Sequence, residues 1–497
     1  MSLIEIENLT FGYASSPETV FEGLNLRLDS NWRLGLVGRN GRGKSTLLGL
    51  MSGQLKPNKG RVRAPGLRPG AFPPPVEQES AITREILRAL APQAQDWEIE
   101  REARLLGLAE SVISRPFYTL SGGERVKVLL ISLFLQNGVY PLLDEPTAHL
   151  DLEARQCVSK YLSCKQGFLL VSHDRDFLDG CVDHILVLNK TGPEICNGNF
   201  AIWHAEKQAR DRAEQAENQR LMREIGRLNQ AASRTATWSD KVEASKQGTR
   251  NSGLRPDKGY IGHKSAKMMQ RAQSIEARKR AAAKEKAALL KDIERADPLK
   301  LTPLRYRSDT LLRVEGVSIC YPGAAPLVAV SFALHNGARL ALRGGNGAGK
   351  TSLLQLLAGK AVPHAGRVRL GSGLLLSYVP QRTDGLTGKP LDYARALGLD
   401  QTRFLTILRK LDFERALFER DMEGYSQGQK KKVLLAQSLS QDAHAYLWDE
   451  PLGYIDLFSR VQLEELILGF CPTLLFVEHD GAFLRAIATE EIWMGKG

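Results

Sequence analysis

Apolar and polar residues alternate with the period of a β-strand in two parts of the chain. The opening stretch MSLIEIENLT alternates in this way, and short apolar runs such as LVG and FLLV follow it. Helical stretches lie between such runs in residues 1–202 and again in residues 301–497. Strands that alternate with helices predict an α/β fold with a mostly parallel sheet in each part.

Residues 203–300 follow the helical period instead. Apolar residues recur there every three or four positions, at Leu221, Ile225, Leu228 and Ala232, at Met268, Ala272 and Ile275, and at Leu289 and Ile293. This pattern predicts two helices with a turn near GTRNSGLRPDKG, packed as an antiparallel hairpin. Arms of about 35–40 residues would reach roughly 50–60 Å. An ordinary coiled-coil spacer with a solvated surface fits the same pattern.

Four short motifs occur twice, in one order and at an offset of 305 or 306 residues. They are GRNGRGKS and GGNGAGKT from Gly38 and Gly344, LSGGE and YSQGQ around Ser121 and Ser426, LLDEP and LWDEP around Glu145 and Glu450, and SHD and EHD around His173 and His479. Such self-similarity predicts two copies of one cassette. We therefore expect a first domain at 1–202, a linker at 203–300 with its tip near 246–262, and a second domain at 301–497.

Composition narrows the class of protein. The net charge of +12 and the pI near 9.3 suit a polyanionic partner, although a whole-chain charge is weak evidence. The six cysteines form no CxxC pair, which indicates reduced and mostly buried thiols of a cytoplasmic protein. The acidic N-terminal stretch does not resemble a signal peptide, and no run approaches the roughly 18 apolar residues of a membrane span. We expect no membrane domain.

The two glycine-rich loops predict phosphate binding. Each GxxxxGK[ST] motif follows a predicted strand and opens a predicted helix, so that backbone N–H groups turn toward phosphates. Lys44 and Lys350 are expected to reach the β- and γ-phosphates of ATP, and Ser45 and Thr351 to bind Mg²⁺. The other loop residues expected at ATP are Gly38, Asn40, Gly41, Gly43, Thr46, Gly344, Asn346, Gly347, Gly349 and Ser352.

Paired acidic residues end a later apolar strand in each cassette. Asp144 and Asp449 are expected to hold the metal through its water shell. Glu145 and Glu450 come next and are placed to polarise a water for in-line attack on the γ-phosphate. The pattern thus predicts hydrolysis of ATP to ADP and phosphate.

Two further pairs repeat at corresponding positions. His173 and His479 lie at predicted strand ends, where an imidazole would contact the γ-phosphate and the attacking water. Tyr13 and Tyr321 precede the first glycine of each loop by 25 and 23 residues. Each ring is expected either to stack on adenine or to fill its strand.

In this order, the P-loop, LSGGE, LLDEP and SHD resemble an ATP-binding cassette (ABC) ATPase over nearly the whole chain. In that family two cassettes pair head to tail, and the P-loop of one closes on ATP with the signature of the other. The resemblance implies a first site that joins Lys44, Ser45, Asp144, Glu145 and His173 to Ser426, Gly428 and Gln429. It implies a second site that joins Lys350, Thr351, Asp449, Glu450 and His479 to Ser121, Gly122, Gly123 and Glu124. We expect two hydrolysis-competent sites in a monomer with intramolecular pairing of its cassettes.

Some positions depart from the family pattern. YSQGQ replaces the usual signature of the family. TAHLD carries Ala148 at a position where one branch of the family usually has asparagine. Pro141 falls in a predicted central strand, where it cannot donate a hydrogen bond. YVPQ gives Gln381 as a metal-contacting glutamine, whereas FPPPVEQ offers Gln78 as its counterpart in the first cassette. None of these departures abolishes ATP chemistry, but they make the geometry of the first site harder to predict than that of the second.

Positive charge is concentrated in the linker. Residues 203–300 contain 23 Lys or Arg against 13 Asp or Glu, and residues 246–280 contain ten against two. Such a segment suits an RNA phosphate backbone. The residues expected to contact RNA are Lys246, Arg250, Arg255, Lys258, Lys264, Lys267 and Arg271. Trp238 and Tyr260 would stack on a base or pack the hairpin.

Three classes of ABC protein are alternative interpretations of this architecture. The ATPase subunit of a transporter would need a membrane partner, and a DNA-repair ATPase usually carries zinc CxxC pairs or much longer coiled coils. Two cassettes, no membrane domain and an interdomain hairpin resemble the ABC-F translation factors instead. The fold class expected is α/β, with two ABC-type P-loop ATPase domains joined by a long α-helical hairpin.

The segment GYIGHKSAKMMQRA and the run SQGQKKKV resemble the antibiotic-resistance branch of ABC-F proteins from Gram-positive bacteria. Only 42 residues separate Gln78 from Leu120, too few for the extra arm hairpin of the housekeeping branch. The resemblance implies binding to the E site of the 70S ribosome and a linker that reaches the peptidyl-transferase centre of 23S rRNA and displaces P-site tRNA. It implies protection against lincosamides, pleuromutilins and streptogramin A. An ABC-F factor that relieves stalled ribosomes without a drug role remains the alternative.

Overall fold

The computed structural model describes residues 3–13, 19–147, 150–189, 192–244, 299–321, 327–345 and 347–495, together with positions 270, 274 and 278. The chain forms two compact units. One unit comprises Met1–Trp203 and Ala296–Gly497 and so contains both cassettes, and the other comprises His204–Arg295.

The first cassette is built on two sheets. Its strands are β1 (Leu3–Gly12), β2 (Thr19–Asp29), β3 (Arg33–Gly38), β4 (Lys59–Arg63), β5 (Arg68–Phe72), β6 (Val139–Asp144), β7 (Phe168–Val171), β8 (His184–Asn189) and β9 (Gly192–Asn197). Six of them form a sheet in the order β5-β6-β7-β3-β8-β9, in which only the β8–β9 pair is antiparallel. β2, β1 and β4 form a separate antiparallel sheet.

Helices cover the parallel sheet of the first cassette. They are α1 (Lys44–Met51), α2 (Thr83–Leu90), α3 (Asp96–Leu105), α4 (Glu110–Ser114), α5 (Gly122–Phe134), α6 (Leu152–Ser163) and α7 (Arg175–Cys181), with a 3₁₀ turn at Phe117–Thr119. The α1 leucines Leu47, Leu48 and Leu50 pack in one core cluster with strand residues of both sheets, such as Ile6 and Leu169. Burial of these apolar side chains fixes α1, and with it the glycine-rich loop, against the sheet.

The linker begins with a long helix. α8 (Phe200–Ala244) has 45 residues, which corresponds to roughly 70 Å at the usual rise per residue. It begins before the predicted boundary at residue 203, because Phe200 and Trp203 are buried in the core of the first cassette. The predicted turn near GTRNSGLRPDKG lies outside the described residues, and so does nearly all of the second arm.

The second cassette repeats the arrangement. Its strands are β10 (Thr310–Ile319), β11 (Val330–His335), β12 (Arg339–Arg343), β13 (His364–Leu370), β14 (Leu376–Val379), β15 (Ala445–Asp449), β16 (Leu474–Val477) and β17 (Glu490–Trp493). Five form a parallel sheet in the order β14-β15-β16-β12-β17, and β11, β10 and β13 form an antiparallel one. The predicted α/β class with mostly parallel sheets is therefore confirmed.

The helices of the second cassette follow the same order along the chain. They are α9 (Lys350–Leu357), α10 (Pro390–Ala396), α11 (Gln401–Lys410), α12 (Gln427–Ser440), α13 (Leu457–Phe470) and α14 (Gly481–Ile487), with 3₁₀ turns at Arg415–Glu419 and Met422–Gly424. Helices α5 and α12 each begin with a capping box, in which Ser121 pairs with Glu124 and Ser426 with Gln429. The two signature motifs thus have the same local structure.

The two cassettes contact each other within their common unit. Arg175 of the first forms a hydrogen-bonded ion pair with Glu464 of the second, and Arg485 pairs with Asp176 at 2.6 Å. Leu457 belongs to the core cluster of the first cassette, although it opens helix α13 of the second. The contact therefore has an apolar part as well as charged pairs.

Pro141 lies in strand β6, an interior strand of the six-stranded sheet. It pairs with Gly70 of β5, but the pairing of β6 with β7 begins only at Leu142. The missing N–H is tolerated because Pro141 stands before the part of β6 that has a neighbour on both sides.

The cysteines are free, but the expectation that most of them are buried is wrong. Cys181 is buried, Cys164 and Cys471 are exposed, and the other three are partly buried. Cysteines lie in protein cores on average, whereas Cys164 and Cys471 are the cap residues that directly follow helices α6 and α13.

Candidate ATP sites between the two cassettes

Strand order brings the repeated motifs of each cassette together. In the first cassette β6, β7 and β3 are neighbours, and Asp144, His173 and the glycine-rich loop lie at or just beyond their carboxyl ends. In the second cassette β15, β16 and β12 are neighbours in the same way. Ligands of open parallel sheets bind at this edge.

The first glycine-rich loop holds its lysine at the loop backbone. The Lys44 ammonium donates to the carbonyl of Gly38 at 2.7 Å and of Arg39 at 3.2 Å, and it lies 3.4 Å from Asn40 Oδ1. Lys44 is buried, which lowers its pKa, while the carboxylate of Asp456 opposes the shift. A cation held in this ring of carbonyls is placed where the phosphates of a nucleotide would lie.

Gly43 precedes α1 in a left-handed conformation with φ of 84°. A Cβ there would lie 2.6 Å from the Val20 side chain, so the position requires glycine for both backbone and space.

The second loop has the same geometry. The Lys350 ammonium donates to the carbonyls of Gly344 and Gly345 at 2.7 and 2.9 Å, and burial lowers its pKa. Gly349 takes the left-handed conformation, with φ of 90°. The predicted loop residue Asn346 lies outside the described residues.

An acidic side chain faces each helix start. Burial raises the pKa of Asp144, and a hydrogen bond from the Ser45 hydroxyl opposes the shift. Burial raises the pKa of Asp449 to about 6. Both carboxylate oxygens of Asp449 are buried, and the Thr351 hydroxyl opposes the rise of this pKa as Ser45 does at Asp144. Buried oxygens of this kind next to a hydroxyl fit a hard divalent cation such as Mg²⁺.

The glutamates after these aspartates adopt an unusual backbone. Glu145 and Glu450 have φ of 47° and 46°, a left-handed conformation that is uncommon for residues other than glycine. Each is held there by its own N–H, which donates at 3.0 Å to the carbonyl of Val171 or Val477 on the adjacent strand. Strained backbone that recurs in two copies indicates a functional constraint.

Each glutamate faces a histidine. His173 Nε2 lies 3.4 Å from Glu145 Oε1, and His479 Nε2 lies 3.7 Å from Glu450 Oε1. Burial raises the pKa of Glu145 to about 7, and it lowers the pKa of both histidines. Neutral imidazoles follow from these shifts, and a neutral imidazole can donate to one oxygen while it accepts from another group.

The predicted adenine-stacking tyrosines are partly exposed. The Tyr13 hydroxyl lies 2.9 Å from that of Thr46, and the Tyr321 hydroxyl lies 2.8 Å from that of Ser352. These contacts hold both rings beside the first turn of the helix that follows the loop. Each ring is also partly accessible to solvent and lines its cavity.

The first cavity lies between the cassettes and has a volume of about 890 Å³. Its lining includes Tyr13, Asn40, Gly41, Gly43, Lys44, Ser45, Thr46, Asp144, Glu145 and His173 from the first cassette and Ser426, Gly428 and Gln429 from the second. The Asn40 amide donates across the contact to the Tyr454 carbonyl at 3.2 Å. The first glycine-rich loop thus faces the signature of the other cassette.

The second cavity has a volume of about 850 Å³. Its lining includes Tyr321, Gly347, Gly349, Lys350, Thr351, Ser352, Glu450 and His479 from the second cassette and Gly122 from the first. Ser121, Gly123 and Glu124 do not line it, and Ser121 and Glu124 bond to each other in the capping box. The second cavity is therefore composite, but less completely than the first.

The two candidate metal-contacting glutamines differ in position. Gln381 lines both cavities, whereas Gln78 is exposed and lines neither of them. Gln381 comes two residues after the end of β14, but Gln78 comes six residues after the end of β5. The longer FPPPVEQ segment carries Gln78 away from the sheet edge, so the structure does not bring it to the first site.

Residues that the motifs do not mark also line the sites. Arg155 lines both cavities, and Asp412 and Glu414 line the first. Asp412 faces Arg39 at 3.6 Å and Arg42 at 3.8 Å, both of which belong to the first glycine-rich loop. The two arginines of GRNGRGKS were the sequence signal for an acidic partner at the first loop. The second loop has glycine and alanine at these positions.

Two nucleotide-loop cassettes that face each other's signature define a tandem-cassette ATPase. The family model described as ABC transporter matches residues 21–148 and 327–453. The chain therefore belongs to the ABC transporter family, and it is an ATP-binding protein that hydrolyses ATP.

Similarity to known proteins extends over nearly the full chain. The ribosome protection protein VmlR of Bacillus subtilis (strain 168) is 28% identical over 98% of this chain and 86% of its own length. The ATP-binding protein Uup of Caulobacter vibrioides is 29% identical over 97% of this chain and 76% of its own. The archaeal ribosome recycling factor aABCE1, solved in complex with the stalk protein aP1, is 19% identical with a TM-score of 0.62 over 98% of this chain and 87% of its own. This last likeness confirms the tandem fold.

Among the described residues, no helix combines the length and the apolar character that a membrane span requires.

Proposed function

We propose that this chain is an ATP-dependent ribosome-protection protein of the ABC-F type, in the antibiotic-resistance branch. It binds the E site of the 70S ribosome, and residues 203–300 reach toward the peptidyl-transferase centre and displace P-site tRNA. The observation that carries the proposal is the similarity to VmlR, which runs over 98% of this chain and so includes the segment between the cassettes.

ATP bound in the two cavities would close the cassettes. Lys44 and Lys350 would exchange their loop carbonyls for phosphate oxygens, and the opposite signatures would cover the γ-phosphates. Mg²⁺ held at Ser45 with Asp144 and at Thr351 with Asp449 would supply charge neutralisation on the phosphates.

Hydrolysis would then reopen the protein. Glu145 and Glu450 would orient the attacking water, and the neutral imidazoles of His173 and His479 would donate to the γ-phosphate. Release from the ribosome would follow when the signatures lose contact with the cleaved phosphate. We propose the same roles for both sites.

The linker supplies the contact with RNA. Helix α8 has 45 residues, and residues 246–280, which follow it in the sequence, include ten basic and two acidic residues. A cationic segment of this composition suits the phosphate backbone of rRNA or tRNA. We propose that its tip, near residues 246–262, protects against lincosamides, pleuromutilins and streptogramin A. The seven basic residues proposed to contact RNA lie outside the described residues.

The Glu145→Gln/Glu450→Gln double variant tests ribosome binding. It retains the shape of both side chains, so ATP should bind, the cassettes should stay closed, and the protein should pellet with 70S ribosomes in ATP but not in ADP. The control is the same protein with Lys44→Ala and Lys350→Ala added, which should remain in the supernatant. Equal pelleting of the double variant and the wild type would contradict the proposal and favour a transporter subunit or another role.

A change confined to the tip tests the drug role. Deletion of residues 248–259 should abolish growth in lincomycin or tiamulin while ATP hydrolysis and ribosome pelleting persist. A matched variant replaces these residues with a Gly-Ser segment of equal length and separates reach from side-chain chemistry. If both variants protect as well as the wild type, the factor without a drug role is the better interpretation.

A further inference from the structure

The two cassettes differ at two positions near their candidate ATP sites, and both positions are buried in the second cassette. On the signature helices, α12 has Lys431 where α5 has Val126. At the end of the strand that precedes the site histidine, the second cassette has Glu478 where the first has Ser172. A buried cation and a buried acid therefore occur together in the second cassette and are replaced together in the first.

Lys431 connects two segments of the second site. Its ammonium donates to the carbonyls of Pro380 at 2.8 Å, Gln381 at 3.3 Å and Asp449 at 3.2 Å. The side chain is 1% exposed. Three donors meet three acceptors, so the buried charge is satisfied while it ties the Gln381 segment to the end of β15.

Glu478 connects two further segments. Its Oε1 accepts from the N–H of Leu452 at 3.1 Å, two residues beyond Glu450, and its Oε2 accepts from the N–H of His479 at 3.1 Å. Glu478 is buried, which raises its pKa to about 7. Burial lowers the pKa of Lys431 to about 8, and the Glu478 carboxyl opposes the shift.

The first cassette uses these positions differently. Ser172 Oγ accepts from the N–H of Asp174 at 3.1 Å, a contact within its own turn. Val126 is a partly buried residue packed against the apolar core. Gln78, the sequence counterpart of Gln381, is exposed and lies outside the first cavity.

We propose that Lys431 and Glu478 are positioning residues for ATP hydrolysis at the second site. Lys431 holds Gln381 against the strand that carries Asp449, and Glu478 holds the segment after Glu450 against His479. Neither side chain lines a cavity, so both act through the residues that they hold. The inference rests on the proposed roles of Gln381, Glu450 and His479, and it does not depend on ribosome binding.

The test exchanges the pair for the residues of the first cassette. Full-length Lys431→Val/Glu478→Ser protein is compared with its parent in steady-state ATP hydrolysis without ribosomes, and all proteins of this test carry Glu145→Gln, so that turnover reports the second site. Displacement of reacting groups acts on the chemical step, so we expect kcat to fall about tenfold while KM changes less than about threefold. The single variant Glu478→Gln, in which Lys431 is unchanged, should retain most of kcat. Its amide oxygen still accepts from one of the two N–H groups.

Three further proteins make the result decisive. Lys431→Met keeps the apolar stem and removes only the donors, so it serves if the valine variant does not fold. Lys389→Met removes an exposed lysine of the same cassette that pairs with Glu419, and it should behave as the parent. Glu450→Gln is the reference for loss of hydrolysis.

Each outcome has one meaning. Unchanged kcat and KM in the exchange variant, with hydrolysis lost in Glu450→Gln, would overturn the proposal alone. The exchange variant could instead show a lower kcat, an altered KM and a lower melting temperature together, with the same kcat loss in Glu478→Gln. That result would show a merely structural role and would also overturn the proposal. Unchanged hydrolysis in Glu450→Gln would instead contradict the assignment of the site.

Discussion

The two candidate ATP sites share their innermost geometry and differ in the residues that surround it. In both, a lysine bonds to the loop carbonyls, and a glutamate in left-handed conformation faces a neutral histidine. Around the first site, Arg39 and Arg42 face a carboxylate of the other cassette. Around the second, Lys431 and Glu478 lie buried beneath the reacting groups.

The difference shows which features short motifs determine. A glycine-rich loop and an Asp-Glu pair at the ends of adjacent strands suffice to place the proposed phosphate-binding and water-orienting groups at one edge of the sheet in both cassettes. The surrounding residues instead decide how firmly each group is held. The sites are therefore expected to have the same chemistry at different rates, which four experiments can test.

Removal of one glutamate at a time should have the largest effect. Glu450 lines both cavities, whereas Glu145 lines only the first. Because a positioned base contributes roughly 10²- to 10⁴-fold, Glu450→Gln should lower kcat by more than about 100-fold and Glu145→Gln by less. Steady-state phosphate release measures both. Equal losses would remove the distinction between the sites.

Gly428→Ala should impair nucleotide binding at the first site selectively. The added Cβ would lie 2.6 Å from the Tyr454 carbonyl and 3.2 Å from the Asn40 amide nitrogen, so the signature must move away from the first loop. ATP affinity should fall by up to about 100-fold, the order of loss that a displacement near 1 Å causes. Gly424→Ala is the control because its Cβ would meet open space. Fluorescent-nucleotide titration that gave equal affinities would contradict the geometry.

Loss of a helix-start hydroxyl should separate the metal requirements. The Asp449 carboxyl is fully buried, whereas Asp144 is partly exposed. Thr351→Ala should therefore raise the Mg²⁺ concentration for half-maximal hydrolysis about tenfold and Ser45→Ala about threefold. Magnesium titrations at saturating ATP measure both. If neither variant changes the requirement, the hydroxyls do not contact the metal.

The smallest effect concerns stability and pH. Burial raises the folded-state pKa of Glu478 to about 7, so its ionisation opposes folding increasingly as pH rises from the unfolded value through 7. Glu478→Gln should add about 1–2 kcal/mol of stability at pH 8 and almost none at pH 5. Urea unfolding at the two pH values measures this, with Ser172→Ala as the first-cassette control. A gain at pH 5 equal to that at pH 8 would exclude ionisation as its cause.

Much of this arrangement could be predicted from sequence. The repeat at 305 or 306 residues gave both cassettes, because a motif that must meet a phosphate keeps its residue types and spacing. Lys44, Glu145 and His173 meet in one cavity, because each follows one of three neighbouring strands. Such predictions succeed where residues follow neighbouring parallel strands, because the sheet brings the strand ends to one edge.

Other features depend on packing that no motif encodes. The displacement of Gln78 depends on the length of a proline-rich connection, and the tolerance of Pro141 depends on where β7 begins to pair. The contact of Asp412 with Arg39 joins residues far apart in the chain. Separation along the sequence does not predict these distances, which depend on the folded structure.

Gln381, Glu450 and Arg155 line both cavities, so we expect nucleotide binding in one cavity to be linked thermodynamically to binding in the other. A nucleotide that reorients any of the three in one cavity changes the free energy of occupying the other. Linkage is reciprocal, so the factor by which the first ATP alters the affinity for the second must equal the reverse factor. The chain should therefore bind ATP cooperatively, with a Hill coefficient different from one, and act as a single two-step switch.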